Sequence, residues 1–325
     1  MAKPPAQVSF PGDKNRRKKV RVRGIKKASK DIQKRLELRV LSQEDWDHWI
    51  TKGFVVVKKA VNREACQQLE NALWEFDEKD PNDPSTWYAP QRRPHVRVEL
   101  NNVGMTEIYH HQRMWDNRQS QRVYDAFVDI WDQEELWVAI DRANINPPKK
   151  VKANPDGFVH WDVDTTARPL PIGVQGILSV KEQDIETGGF QAVPYLFEFF
   201  EDWVKTQPSD RNPLLPDMTG LSRENITLEA GDLLIFNSLL PHGVRPNHSE
   251  GRVRMAQYLS MFPAELENES ERAERIRLWQ NIEAPNRPDF PGDPRGWEKQ
   301  HYGPADLTQL GRKLLGLDLW GDIKT

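Results

Sequence analysis

The run Phe158-Val159-His160-Trp161-Asp162 decides the reading of this chain, together with Leu239-Leu240-Pro241-His242-Gly243 and Arg252-Val253-Arg254 further on. On an extended strand residues i and i+2 point to one face, so His160 and Asp162 project together while Trp161 turns away. One imidazole and one carboxylate then converge, and a later strand of the same barrel carrying His242 adds a second imidazole. Two histidines and one carboxylate on one side of a metal make the facial triad of non-heme Fe(II) oxygenases, with positions left open for a co-substrate and O₂. An H-x-D triplet is common by itself; the weight comes from its surroundings. His242 follows the strand-like run Leu233-Leu234-Ile235-Phe236 and sits in a Pro-His-Gly turn, where Gly243 allows close backbone approach. Arg252 and Arg254 enter an apolar strand, where a guanidinium suits a bidentate grip on a carboxylate such as the distal end of 2-oxoglutarate. Both point to one face of a regular strand, so periodicity does not choose between them.

Outward from these residues, 151–262 is a succession of short strands divided by Gly, Pro and Asp: 174–180, 189–193, 233–236 after the Gly231-Asp232 turn, and 253–262. A helical piece at 197–204 and a Pro-rich loop to Pro216 interrupt them. This texture predicts a mostly β core, a β-sandwich or jelly-roll barrel of cupin-like type, with flanking α-helices. The part at 40–150 reads as helical: Ser42 caps a helix ended by Gly53, a strand covers 54–57, and Asn62 caps a second helix with Cys66, Leu69, Leu73 and Phe76 at helical spacing. A third helical stretch runs over 119–140. Residues 263–325 form a C-terminal helical extension, so that 40–325 is one domain.

The bulk properties set limits. The chain has 325 residues with 12 Trp and 12 Phe, enough bulky material for a substantial core, and a net charge of −3. No apolar run approaches the roughly 20 residues of a membrane span. Met1-Ala2-Lys3-Pro4-Pro5 lacks the pattern of a secretory signal, and the single Cys66 excludes an intrachain disulfide, which together predict a reducing, cytoplasmic setting. Residues 1–39 carry 14 Lys/Arg against three Asp/Glu, so this segment is +11 and the remainder −14. Such a block reads as a solvated, mobile tail. Nucleic acid, an anionic membrane surface and an import receptor all stay open as partners of Lys14 to Lys30, nucleic acid being disfavoured because no aromatic residues interleave with the charges, and folding back on the acidic body of the protein is equally open.

The chain resembles the phytanoyl-CoA dioxygenase family of Fe(II)/2-oxoglutarate oxygenases over roughly 42–262. The matching stretches are Gly53-Phe-Val-Val-Val57, His160-Trp-Asp162, Gln175-Gly-Ile-Leu-Ser-Val180, Thr187-Gly-Gly-Phe-Gln-Ala-Val-Pro194, Gly231-Asp-Leu-Leu-Ile-Phe236, His242-Gly243 and Arg254-Met-Ala-Gln-Tyr258. The resemblance implies a double-stranded β-helix, iron held by His160, Asp162 and His242, and 2-oxoglutarate and O₂ as co-substrates. It favours Arg254 as the co-substrate anchor, because the family's arginine precedes a small residue by two positions as Arg254 precedes Ala256; Arg252 is the fallback. Gln175 either bonds the co-substrate or caps a sheet edge. With Asp162 in place, hydroxylation of a C–H bond in a small metabolite or natural product is favoured over halogenation. Two departures stand out: Tyr195-Leu196-Phe197-Glu198 replaces the family's Gly-Ser-His turn, and Val244 replaces a hydroxyl residue two positions after the distal histidine.

Other candidates are weaker. Tyr109-His110-His111 suits a lid or a helix start better than a second metal site, Arg142 is either an ion pair with Asp141 or Glu99 or a grip on an acidic substrate, and Arg168 lines the mouth. Two alternatives to the oxygenase remain: a non-catalytic jelly-roll binding protein with a basic partner-binding tail, and a cupin-type metalloenzyme that does not use 2-oxoglutarate.

Overall fold

A computed structural model of the chain describes residues 32, 34–89, 104–150, 154 and 156–321. Ser42 and Asp45 form a capping box at the start of α1 (Gln43–Lys52), and Gly53, at φ 80°, ends it. Then come β1 (Phe54–Val57), α2 (Arg63–Asp77) capped by Asn62, β2 (Met105–Thr106), α3 (Gln112–Arg118), α4 (Gln121–Trp131), β3 (Leu136–Val138) and β4 (Ala143–Asn146). The second half contains β5 (Val174–Ser179), β6 (Gly189–Ala192), α5 (Pro194–Glu198), α6 (Phe200–Lys205), β7 (Glu224–Asn225), β8 (Leu233–Asn237), β9 (His242–Arg245), β10 (Arg254–Tyr258) and β11 (Met261–Pro263). Helices α7 (Glu269–Asn281), α8 (Trp297–His301) and α9 (Gln309–Leu315) follow.

The strands form a six-stranded sheet in the order β1-β8-β5-β10-β4-β2, a three-stranded sheet β7-β6-β9 and a β11-β3 pair, all antiparallel. Alternation along β8 shows how the layers stack. Leu233 and Ile235 join Val55 and Val57 against Trp46 and Trp49 of α1 and Phe127 and Ile130 of α4. Leu234 and Phe236 join Phe54, Val56 and Ile177 against Phe190 and Ala192 of the smaller sheet, with the Phe190 and Phe236 rings 4.8 Å apart. Both faces of β8 are covered, so the run is apolar throughout instead of alternating with polar residues. At the other end of the large sheet, Ala143, Ile145, Val253 and Met255 point outward onto Leu69, Leu73 and Phe76 of α2. The architecture is the jelly roll with flanking helices that the sequence predicts.

The boundaries differ in four places. The expected strand 253–262 is two strands: Leu259 donates to the Gly176 carbonyl and Ser260 accepts from the Ala139 N–H, so the chain leaves the large sheet there and pairs with β3. The stretch 119–140 is helical only to Trp131; Asp132, at φ 54°, ends α4, and Leu136 begins a strand. A helical 40–150 beside a core at 151–262 does not describe the molecule, because β1, β2 and β4 supply half of the large sheet. Of the basic segment, 1–31 and 33 lie outside the described residues, whereas residues 34–41 are docked rather than free. The Asp132 carboxylate accepts the N–H groups of Arg35 and Leu36, and that of Asp129 accepts those of Arg39, Val40 and Leu41, all at 2.8–3.1 Å. The extension beyond β11 is equally built in. Arg275, buried on α7, donates to the Leu314 and Leu315 carbonyls at the end of α9 and to that of Val138, placing a cation at a helix C-terminus.

Candidate metal centre

His160 and His242 are brought together by a single antiparallel bridge, in which each N–H donates to the other's carbonyl at 2.8 and 2.9 Å. The run at 158–162 is therefore a one-residue bridge against β9 and not a full strand. Gly243 is required beside it, since a Cβ there would lie 1.8 Å from the Phe158 carbonyl oxygen. His242 is held on three sides: Phe190 stacks on its ring at 5.4 Å, Phe236 packs at 4.5 Å, and Nδ1 lies 3.0 Å from the Leu240 carbonyl. That contact places the proton on Nδ1 and leaves Nε2 as a donor atom, aimed at Asp162 Oδ2 3.3 Å away. His160 Nε2 lies 3.1 Å from Asp162 Oδ1. One ligand atom from each of the three residues lies within 4.8 Å of the others, the one such group of His, Cys, Asp or Glu among the described residues. Burial by itself raises the Asp162 pKa, but the adjoining imidazoles of His160 and His242 outweigh it and hold the carboxyl well below its usual range. Two imidazole nitrogens and one carboxylate, all pointing at one spot, fit a ferrous ion.

Gln175 caps no sheet edge, since β5 lies between β8 and β10. On β5 its Nε2 donates to Asp162 Oδ2 at 2.8 Å, so it touches the triad's carboxylate.

The two arginines separate completely. Strand β10 begins at Arg254, so Arg252 precedes it and points to the surface, where Nη1 reaches Asp184 at 2.6 Å and Nη2 reaches Glu186 at 2.7 Å. Arg254 is 4% exposed, and its Nη1 donates to the carbonyls of Thr187 at 2.7 Å and Arg245 at 3.0 Å. Among the described residues no carboxylate lies within salt-bridge distance of it, and its Nε/Nη2 edge, the one that pairs bidentately with carboxylates, has no hydrogen-bond partner. Burial pulls its pKa down to about 10, against the opposing influence of Tyr258, which leaves it charged at neutral pH. The Thr187-Gly188-Gly189 stretch is explained by the same contact: a Cβ on Gly188, at φ 73°, would lie 2.4 Å from the Arg245 and Pro246 carbonyls and 2.8 Å from Arg254 Nη1.

Register places further residues on this inner face. Asn146 and Asn144 of β4 lie opposite Arg254 and Ala256, and Tyr258 lies opposite Ile177, two residues from Gln175. Tyr258 sits deep in the fold yet keeps partial exposure, so it lines the interior; burial, aided by Asp141, pushes its phenol up to about 12. The sequence reading missed it, although its alternation with Arg254 carries the signal.

The remaining candidates have structural partners. Arg142 pairs with buried Glu107 at 2.8 Å and lies over the Phe290 ring, while Asp141 is 3.8 Å away; Glu99 lies outside the described residues. His110 Nε2 meets the Glu283 carbonyl and His111 caps α3. Arg168 reaches Glu201 at 3.7 Å, Trp161 donates from Nε1 to the Leu239 carbonyl in an apolar cluster away from the triad, and Cys66 is buried.

Residues 49–256 match the sequence profile of the phytanoyl-CoA dioxygenase family. The chain belongs to that family. Its members use Fe(II), 2-oxoglutarate and O₂, and the chain is an oxygenase of this kind. It is 25% identical over 257 residues to Ava biosynthesis cluster protein O of Aspergillus versicolor, covering 69% of this chain and 79% of the relative. A Dictyostelium discoideum protein named after the same family is 22% identical over 316 residues, 82% of this chain and 84% of the relative. Protein JW0805 of Escherichia coli shares the fold, with a TM-score of 0.61 at 17% identity over 85% of this chain and 82% of that one. No described helix is long and apolar enough to cross a membrane.

Proposed function

We propose that the chain is a hydroxylase that oxidises an unactivated C–H bond of a small metabolite or natural product while 2-oxoglutarate is decarboxylated to succinate. The observation that carries this reading is the convergence of His160, Asp162 and His242 on a barrel interior that also contains the unpaired edge of buried Arg254. His160 Nε2, the Asp162 carboxylate and His242 Nε2 would hold Fe(II), which when bound supplies O₂ activation with 2-oxoglutarate as the electron donor. The Leu240 carbonyl keeps the His242 proton on Nδ1, and Gln175 fixes the rotation of the Asp162 carboxylate through Oδ2. Arg254 takes the distal carboxylate of 2-oxoglutarate on its Nε/Nη2 edge, a charge-assisted pair at a buried guanidinium. Phe190 and Phe236 exclude water from the far side of His242. A carboxylate at 162 fills the position that a halide would need, which favours hydroxylation. The assignment of the Aspergillus relative to a biosynthesis cluster supports a natural-product substrate.

The test is release of labelled CO₂ from 2-oxoglutarate carrying carbon-14 at C1, with Fe(II) and ascorbate. Wild type is expected to decarboxylate slowly without substrate, and Asp162→Ala not at all. Decarboxylation by Asp162→Ala at the wild-type rate would sink the ligand assignment.

A further inference from the structure

One wall beside the triad is apolar and open. Phe158, two residues before His160, stacks its ring on that imidazole with centroids 4.9 Å apart and planes 29° from parallel. It is 57% exposed, although Val159 and Trp161, on the other side of the same run, are 6% and 1% exposed. Val244, two residues after His242, is 42% exposed. The register pairs Val244 with Phe190, whose ring stacks on His242, so Val244 and His242 share the inner face of β9. Phe158 and Val244 adjoin across the bridge, because the Phe158 carbonyl abuts Gly243 and Gly157 abuts the Val244 carbonyl.

An aromatic ring and a branched aliphatic left in water next to a metal-binding triad contribute nothing to the core and expose apolar surface that a ligand would cover. One face of the Phe158 ring is occupied by His160. A flat partner on its other face would sit at the offset-stacking distance of about 4.5–7 Å favoured by aromatic pairs. A charged group there would lose hydration against two hydrocarbon surfaces. Resting on the oxygenase reading above, we propose that the Phe158 and Val244 wall is the substrate-recognition surface of this enzyme and that its substrate is an uncharged, ring-bearing apolar molecule whose flat face lies on Phe158.

The experiment uses the full chain loaded anaerobically with Fe(II) and 2-oxoglutarate, and a neutral fused-ring fluorophore, N-phenyl-1-naphthylamine, as probe. The visible charge-transfer band of the wild-type complex is read first, then the rise in probe fluorescence on titration. A saturable rise is expected, with apparent affinity weakened about 30-fold in Phe158→Ala, as loss of one buried ring face implies. Phe158→Trp should restore it, and Val244→Asp should weaken it independently. Equal affinity in wild type, Phe158→Ala and Val244→Asp, or no saturable rise, overturns the proposal while the band leaves the oxygenase reading standing. Absence of the band in wild type removes both.

Discussion

The inner face of the large sheet has two halves with opposite characters. On β1 and β8 it presents Phe54, Val56, Leu234 and Phe236, sealed against Phe190 of the facing sheet. On β5, β10 and β4 it presents Gln175, Arg254, Tyr258, Asn144 and Asn146. Both halves alternate with period two and both are covered outside by helices, so neither backbone nor burial distinguishes them. The difference lies in what each half meets across the barrel: one closes on aromatic rings, and the other stays open around the triad. The dry half fixes where His242 stands, and the polar half supplies the groups that a co-substrate needs. Stability belongs mainly to the first and ligand affinity mainly to the second.

Mutations that cross this division test it. The largest effect is expected from Phe236→Ala, which removes a ring from the closed half: urea denaturation should show a loss of about 3–5 kcal/mol. A loss below about 1 kcal/mol would mean that the half is loosely packed. In the open half, Arg254→Ala should raise the concentration of 2-oxoglutarate needed for half-saturation by about 100-fold, near the upper range for a charge-assisted pair of about 1.5–3 kcal/mol, with Fe(II) affinity changed far less. Arg252→Ala is the internal comparison. Its surface ion pairs contribute about 0–1 kcal/mol, so both affinities should move less than about threefold. The reverse pattern in an equilibrium titration would assign the anchor to the wrong arginine.

Gln175→Leu leaves the triad complete but frees the Asp162 carboxylate. Competition with a metal-sensitive dye should show Fe(II) affinity down by about 10-fold, the low end for loss of a supporting hydrogen bond. The smallest effect lies outside both halves. Burial pulls the His110 pKa down to about 3 and that of His111 to about 4. The unfolded chain therefore binds more protons, and stability is lost as pH falls through the unfolded value near 6.5. From pH 7 to pH 6 each histidine should cost about 0.7 kcal/mol, read as a shift in the urea midpoint that shrinks in His110→Leu.

The triad was legible because the His160-x-Asp162 spacing stood together with the strand-like run before His242 and the glycine after it, all of them local signals. The runs 54–57 and 233–236 were equally plain as apolar strands, the second extended by Asn237 in the fold. What stayed hidden depended on tertiary partners. Periodicity does not part Arg252 from Arg254, which the family resemblance alone favoured, until β10 is known to begin at 254, and the target of Gln175 lies across the barrel. Strand β4, Ala-Asn-Ile-Asn, contains two residues depleted from strands, so it carried no strand signal although it completes the polar half. That the basic segment folds back on the acidic body was open in the sequence, but its acceptors, Asp129 and Asp132, were not legible because they stand about 90 residues away.

The most direct test of the central claim is an anaerobic titration of metal-free protein with Fe(II) and then 2-oxoglutarate, following the visible charge-transfer band of the chelated co-substrate. A band is expected in wild type, with its loss in His160→Ala and its recovery in Arg254→Ala only at much higher 2-oxoglutarate. A folded, iron-loaded wild-type protein that gives no band would contradict the claim.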